Sequence, residues 1–151
     1  MEPRLAEGPQ SVETPSRQMA IIVDADVIIR GERGTFDLKG WLAARSSEPV
    51  EIAAITIAEL WHGVERADAA HKAKRERYVR SAMNSMLIVP YTAATALEHA
   101  RIWAALEDAG RMIGDYDLIV AASALERGSS LATFNRRHFS QVPGLKVIEP
   151  V

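Results

Sequence analysis

Very short runs that are apolar at every position constrain this chain more than any other feature. Ala20-Ile21-Ile22-Val23 is the clearest of them. A strand with one wet face alternates apolar and polar side chains, so a run without alternation has to be covered on both faces. The pattern predicts strands over 20–23, 51–55, 86–89, 130–133 and 146–148. Helical spacing lies between them, over 26–30, 36–45, onward from Thr56, and over 69–85, 93–109 and 117–127. Gly31 and Gly34 are expected to break the first helix, and Gly110 and Gly128 to end the later ones. Pro90 stops the third strand, because proline cannot donate to a ladder. Strands that alternate with helices are joined by crossovers and lie parallel. The expected fold class is therefore α/β, a three-layer α/β/α sandwich on a parallel sheet of about five short strands.

Residues 1–18 break this pattern. Pro3, Pro9 and Pro15 stand there among Glu, Ser, Gln and Arg. Such a segment has too little apolar surface to offset its ordering entropy, so a disordered tail is expected. Patterned sequence begins at Met19, the expected natural start, and residues 19–151 form one domain.

Composition removes several chemistries. The chain has no cysteine, which excludes disulfides, thiolate zinc sites, iron–sulfur clusters and a cysteine nucleophile. A formal charge of −2 excludes a protein that coats nucleic acid by a general positive field, though not one with a local basic patch. No apolar run is long enough to cross a bilayer, and residues before Met19 lack the apolar core of a secretory signal. A cytoplasmic location with no membrane partner is the expectation. With only four histidines, a metal site would lean on carboxylates, which favours Mg²⁺ or Mn²⁺.

Ligands of open α/β sheets bind beyond the carboxyl ends of the strands. Asp24 and Asp26 follow the first predicted strand, Glu59 the second, and Thr133 with Asn135 the fourth, while Asp115 and Asp117 open a helix. Each has a structural explanation as well. Asp24 or Asp26 can cap a helix. Thr56-Ile57-Ala58-Glu59 fits a capping box. Asp115 or Asp117 can complement a helix dipole, and Asn135 can be a turn residue. Asp117 is deep for a cap, since Leu118, Ile119 and Val120 follow at once. Caps alone do not explain why these acids gather on one edge. Converging carboxylates repel one another, and a bound divalent cation relieves that repulsion. Such a cation suits phosphodiester hydrolysis by activated water.

Four segments, in order, resemble the PIN-domain family, and within it the VapC-type toxins of bacterial toxin–antitoxin pairs. They are Met19-Ala20-Ile21-Ile22-Val23-Asp24-Ala25-Asp26-Val27-Ile28, Ile57-Ala58-Glu59-Leu60-Trp61-His62-Gly63-Val64, Ile113-Gly114-Asp115-Tyr116-Asp117-Leu118-Ile119-Val120-Ala121-Ala122, and Leu131-Ala132-Thr133-Phe134-Asn135-Arg136-Arg137-His138-Phe139 with Val142-Pro143-Gly144-Leu145. The similarity covers residues 19–151. It implies a Mg²⁺-dependent ribonuclease, with Mn²⁺ as a substitute, that cuts structured RNA such as tRNA or rRNA. It also implies a cognate antitoxin and a homodimer. Asp24, Glu59 and Asp117 match the family's acids. Many members carry a further acid where Asn135 or His138 stands. Asn135 is then expected to orient water, and Asp115 either compensates or caps its helix. Asp26 and Thr133 are expected beside the metal ligands rather than among them.

Arg136, Arg137 and His138 follow the fourth strand and are candidates to grip RNA phosphates, with Arg30 and Arg33 as weaker ones on a Gly-containing loop. Lys72, Lys74, Arg75, Arg77 and Arg80 read as a solvated helix face. Trp41, Trp61 and Trp103 read as core or partner packing, with Trp61 a possible wall of an antitoxin groove, and His62 reads as structural. Two other classes fit part of the pattern. A haloacid-dehalogenase-type phosphatase would use Asp24 as a covalent nucleophile and Asp26 as its acid, but leaves Glu59 unexplained. A non-catalytic PIN-fold protein-binding module fits the absent fourth acid.

Overall fold

The computed structural model describes residues 19–151. The tail expected over residues 1–18 lies outside the described residues. The elements run β1 (Ile21–Val23), α1 (Ala25–Arg33), α2 (Leu38–Ala44), β2 (Val50–Ala53), α3 (Ala54–Glu65), α4 (Lys72–Ser85), β3 (Leu87–Val89), α5 (Ala93–Ala109), α6 (Asp115–Arg127), β4 (Ser130–Ala132), α7 (Arg136–Phe139) and β5 (Val147–Ile148). The strands form one sheet in the order β3-β2-β1-β4-β5, and every pairing is parallel. Among the described residues, no helix is long and apolar enough to cross a membrane.

The unalternated runs do what their composition requires. Ile21 and Val23 enter a cluster with Ile28, Trp41, Leu60, Val64 and Val79, contributed by α1–α4. Ile22, between them, enters the opposite cluster with Ile102, Leu106, Leu118, Val120 and Phe139 from α5–α7. Successive residues of β1 thus point to opposite helical layers, and both layers are filled.

Three helix boundaries differ from expectation, at the end of α1 and the starts of α3 and α6. α1 does not break at Gly31. A side chain there would meet Tyr78 Oη at 2.5 Å and Leu38 Cβ at 2.8 Å, so this glycine lets α2 and α4 pack close. The helix ends instead at Gly34, whose φ of 76° suits glycine. Arg30 and Arg33 therefore lie on the last turn of a helix, not on a loop. α3 begins at Ala54, and its cap Ala53 makes no side-chain bond, so Thr56–Glu59 is not a capping box. α6 begins at Asp115 behind Gly114, which likewise leaves Asp115 without a capping role.

The far edge of the sheet holds a feature with no signal in the sequence pattern. Glu51, in β2, is fully buried on the α6 side. Its carboxylate accepts from Arg127 and, at 2.9 Å, from Ser129 Oγ. This ion pair lies towards the amino ends of the strands, away from the acids on the other edge.

Candidate functional site

β1 and β4 are neighbours in the sheet, but the chain leaves them for opposite sides, β2 and β5. That reversal opens a crevice at their carboxyl ends. The register pairs Val23 with Ala132, so the next residues, Asp24 and Thr133, stand side by side there.

Asp24 is buried and caps α1, with Oδ1 accepting from Ala25 N at 2.9 Å. Its other oxygen, Oδ2, accepts from Thr133 Oγ1 at 2.9 Å. The cap reading and the site reading of Asp24 therefore hold together. Thr133 is the hub of the cluster. Its Oγ1 also lies 3.3 Å from Asp26 Oδ2 and accepts from Asn135 N at 3.0 Å. Asp26 accepts from Phe134 N at 3.1 Å. Arg30, above the Phe134 ring at 4.1 Å, adds positive charge near Asp26.

Glu59 comes from the second turn of α3 and Asp117 from the first turn of α6. The electrostatics show that they share the crevice. Burial, then Asp26 and Asp117, push the Asp24 carboxyl up to about 7. Burial raises Asp26 as well, against its backbone bond from Phe134. Burial and the Asp117 charge raise Glu59. Glu59 Oε1 is buried with no hydrogen-bond partner. An acceptor left without a donor amid repelling acids suits a cation.

The remaining candidates divide. His138, a candidate for RNA phosphates, places its Nδ1 3.3 Å from Asp117 Oδ2. Arg136 turns towards Glu149, 4.0 Å away. Arg137, Asn135 and Asp115 are exposed. On α4, Arg75 bonds Glu32, and Arg80 bonds Glu76 and lies over the Trp61 ring. The sequence reading missed two residues. A cleft of about 480 Å³ beside the acids is lined by Ala58, Glu59, His62 and Tyr116. His62, read as structural, is exposed and lines that cleft. Its signal was its position one helical turn beyond Glu59.

Comparison with known proteins places this geometry. A family model of the PIN domain matches residues 21–145. The chain belongs to the PIN domain family. The match includes Asp24, Glu59 and Asp117 of this PIN domain. Ribonuclease VapC1 of Rickettsia felis is 30% identical over 131 residues, covering 86% of this chain and 96% of that protein. Among solved structures, VapBC2 from Rickettsia felis, bound to a DNA fragment from its promoter, superposes with a TM-score of 0.80 at 20% identity. That alignment covers 87% of this chain and 98% of the other. VapBC-5 from Mycobacterium tuberculosis, a member of the VapBC family of toxin–antitoxin systems, superposes with a TM-score of 0.67 at 25% identity. It covers 87% of this chain and 97% of the other. This PIN domain thus has the three-layer fold of those toxin–antitoxin proteins.

The donor set of this PIN domain fits a hard divalent cation. All its candidate ligands are carboxylate oxygens, one of them is orphaned, and burial with neighbouring negative charge raises the pKa of Asp24 and Glu59. Among the described residues, no three His, Asp or Glu side chains are packed closely enough to chelate an ion alone.

Proposed function

We propose that this PIN domain is a metal-dependent endoribonuclease acting as the toxin of a toxin–antitoxin pair. The observation that carries the reading is the convergence of Asp24, Glu59 and Asp117 on the crevice at the switch point, with the Asp24 carboxyl raised to about 7. These three residues would hold Mg²⁺, with Mn²⁺ as a substitute. Bound there, the ion supplies a Lewis acid to the phosphate and lowers the pKa of water. The chain's own residues do the rest. Thr133 and Ala25 N fix both oxygens of Asp24. Asn135 carries an exposed amide beside Thr133 and is the proposed partner of the attacking water. Arg137 is the proposed phosphate contact.

The phosphatase reading loses ground on the same geometry. With Asp24 as a covalent nucleophile, Glu59, whose Oε1 is buried without a partner, would have no task. One assay separates the classes. Purified protein is given RNA with Mg²⁺ or Mn²⁺, then with EDTA, and a phosphomonoester in parallel. RNA cleavage that EDTA abolishes is expected. Phosphomonoester turnover without RNA cleavage would transfer the site to phosphatase chemistry, and neither activity would leave a binding module. For RNA contact, Arg137→Ala is expected to reduce the slope of log affinity against log salt by about one unit. An unchanged slope would remove Arg137 from the path, and Arg136→Ala, already shared with Glu149, is expected to do less.

The likeness to VapBC complexes supports a cognate antitoxin as the partner. A homodimer is supported by apolar surface left open on edge strand β3 and helix α5, where Leu87, Ile88, Leu97 and Trp103 are exposed. Leu97, 75% exposed, has no role within the domain. Light scattering is expected to show a dimer, and Leu97→Glu to shift it to monomer. A dimer that survives Leu97→Glu would place the contact elsewhere.

A further inference from the structure

We infer that Tyr116 and His62 form a subsite for an unstacked nucleobase beside the scissile phosphodiester, an inference that rests on the ribonuclease reading. Both rings line the 480 Å³ cleft that Glu59 also borders. Both are attached to the acids by the shortest available link. Tyr116 is the residue before Asp117 at the start of α6. His62 lies three residues beyond Glu59 on α3, on the same helical face. An occupant of this cleft therefore lies next to the reacting groups.

Neither ring serves the fold. Tyr116 is 56% exposed, whereas Ile113, Leu118 and Val120 around it are buried. The other exposed aromatics are partnered. Tyr91 Oη and His99 Nδ1 are 2.8 Å apart, and His99 stacks on Trp103 at 5.7 Å between centroids. Among the described residues, Tyr116 and His62 have no comparable aromatic partner. An open aromatic pair on the wall of a cleft is a stacking platform.

The chemistry of the cleft selects the base rather than the backbone. The cleft's lining has no Lys or Arg to hold a phosphate, while every base offers a π-face to Tyr116. The His62 ring nitrogens can hydrogen-bond a base edge. A base reaches these rings only when splayed from its stack, so the subsite favours single-stranded or loop RNA over a duplex.

The test uses the whole chain and a short oligouridylate carrying one 2-aminopurine, whose fluorescence falls when the base stacks. Binding is read in EDTA, and cleavage of the same probe and of total RNA in Mn²⁺. Tyr116→Ala is expected to weaken binding and raise KM by roughly tenfold or more, to affect KM more than kcat, and to abolish the quench. Tyr116→Phe, which keeps the ring, is expected to rescue both, and His62→Ala to show a smaller loss. The melting temperature of Tyr116→Ala checks that the fold is intact. Wild-type KM and quench in Tyr116→Ala, with RNA still cleaved, would overturn the subsite and leave the ribonuclease standing. Tyr116-dependent quenching by a protein that cuts neither probe nor total RNA would support the subsite and overturn the ribonuclease. A wild-type protein that neither quenches nor cleaves overturns both.

Discussion

Asp24→Asn is expected to lower RNA cleavage on the order of a thousandfold while making the metal-free protein more stable above pH 7. The loss follows from removing the charge that Asp24 presents to a cation, with the shape preserved. An Asn amide oxygen can keep the bond from Ala25 N, and its NH₂ can donate to Thr133 Oγ1. The gain in stability follows from linkage. The ordinary aspartate value is 3.8, and in the fold Asp24 stands at about 7. The folded state therefore holds a proton that the unfolded state has released. Stability from the neutral carboxyl is complete below about pH 3.8, falls as pH rises, and is gone once pH passes about 7. Asn is neutral throughout and escapes that loss. At about 1.4 kcal/mol per pH unit, the advantage at pH 8 amounts to a few kcal/mol. Melting curves in EDTA at pH 5 and pH 8 check it. A variant that melts at or below wild type at pH 8 would contradict the repulsion.

At the opposite edge, Arg127→Met is expected to destabilise the protein by about 3–5 kcal/mol, and Glu51→Leu added to it to restore most of that. Glu51 is fully buried, and without Arg127 its only remaining partner is Ser129 Oγ. An uncompensated buried carboxylate is far costlier than an apolar residue of similar volume. The reverse single change, Glu51→Leu, is expected to cost less, because Arg127 is 23% exposed and can turn its guanidinium to water. Urea unfolding of the four proteins gives the coupling directly. Losses that simply add would mean the pair is not one unit.

Much of the fold was legible because its strands are too short and too apolar to be anything but doubly covered. Ala20–Val23 alone implied two helical layers, and both are present. Helix starts were less legible where the cap has no side chain to announce it. Ala53 and Gly114 begin α3 and α6 without a capping bond, so Thr56 and Asp117 looked like the first residues. α7 spans only Arg136–Phe139, one turn with no periodicity, held by buried Phe139. The acids could be named because polar groups following apolar strands are conspicuous. The hub role of Thr133 could not, since it depends on register between strands more than a hundred residues apart in sequence. The Glu51–Arg127 pair was hidden for the same reason, its partners being 76 residues apart. The position of His62 on the Glu59 face of α3 was hard to see beside Trp61 and Leu60, which set it in an apolar pattern.

If Asp24, Glu59 and Asp117 are one electrostatic unit that receives a divalent cation, binding of that cation has to be linked to the proton on Asp24. Calorimetric titration of Mn²⁺ into the metal-free protein, in buffers of different ionisation enthalpy, tests it most directly. A cation that displaces the proton on Asp24 has to release it. The prediction is binding with about one proton released at pH 6, little release at pH 8, and loss of the proton-linked signal in Asp24→Asn. No binding by the wild type, or binding with the same proton release in Asp24→Asn, would contradict it.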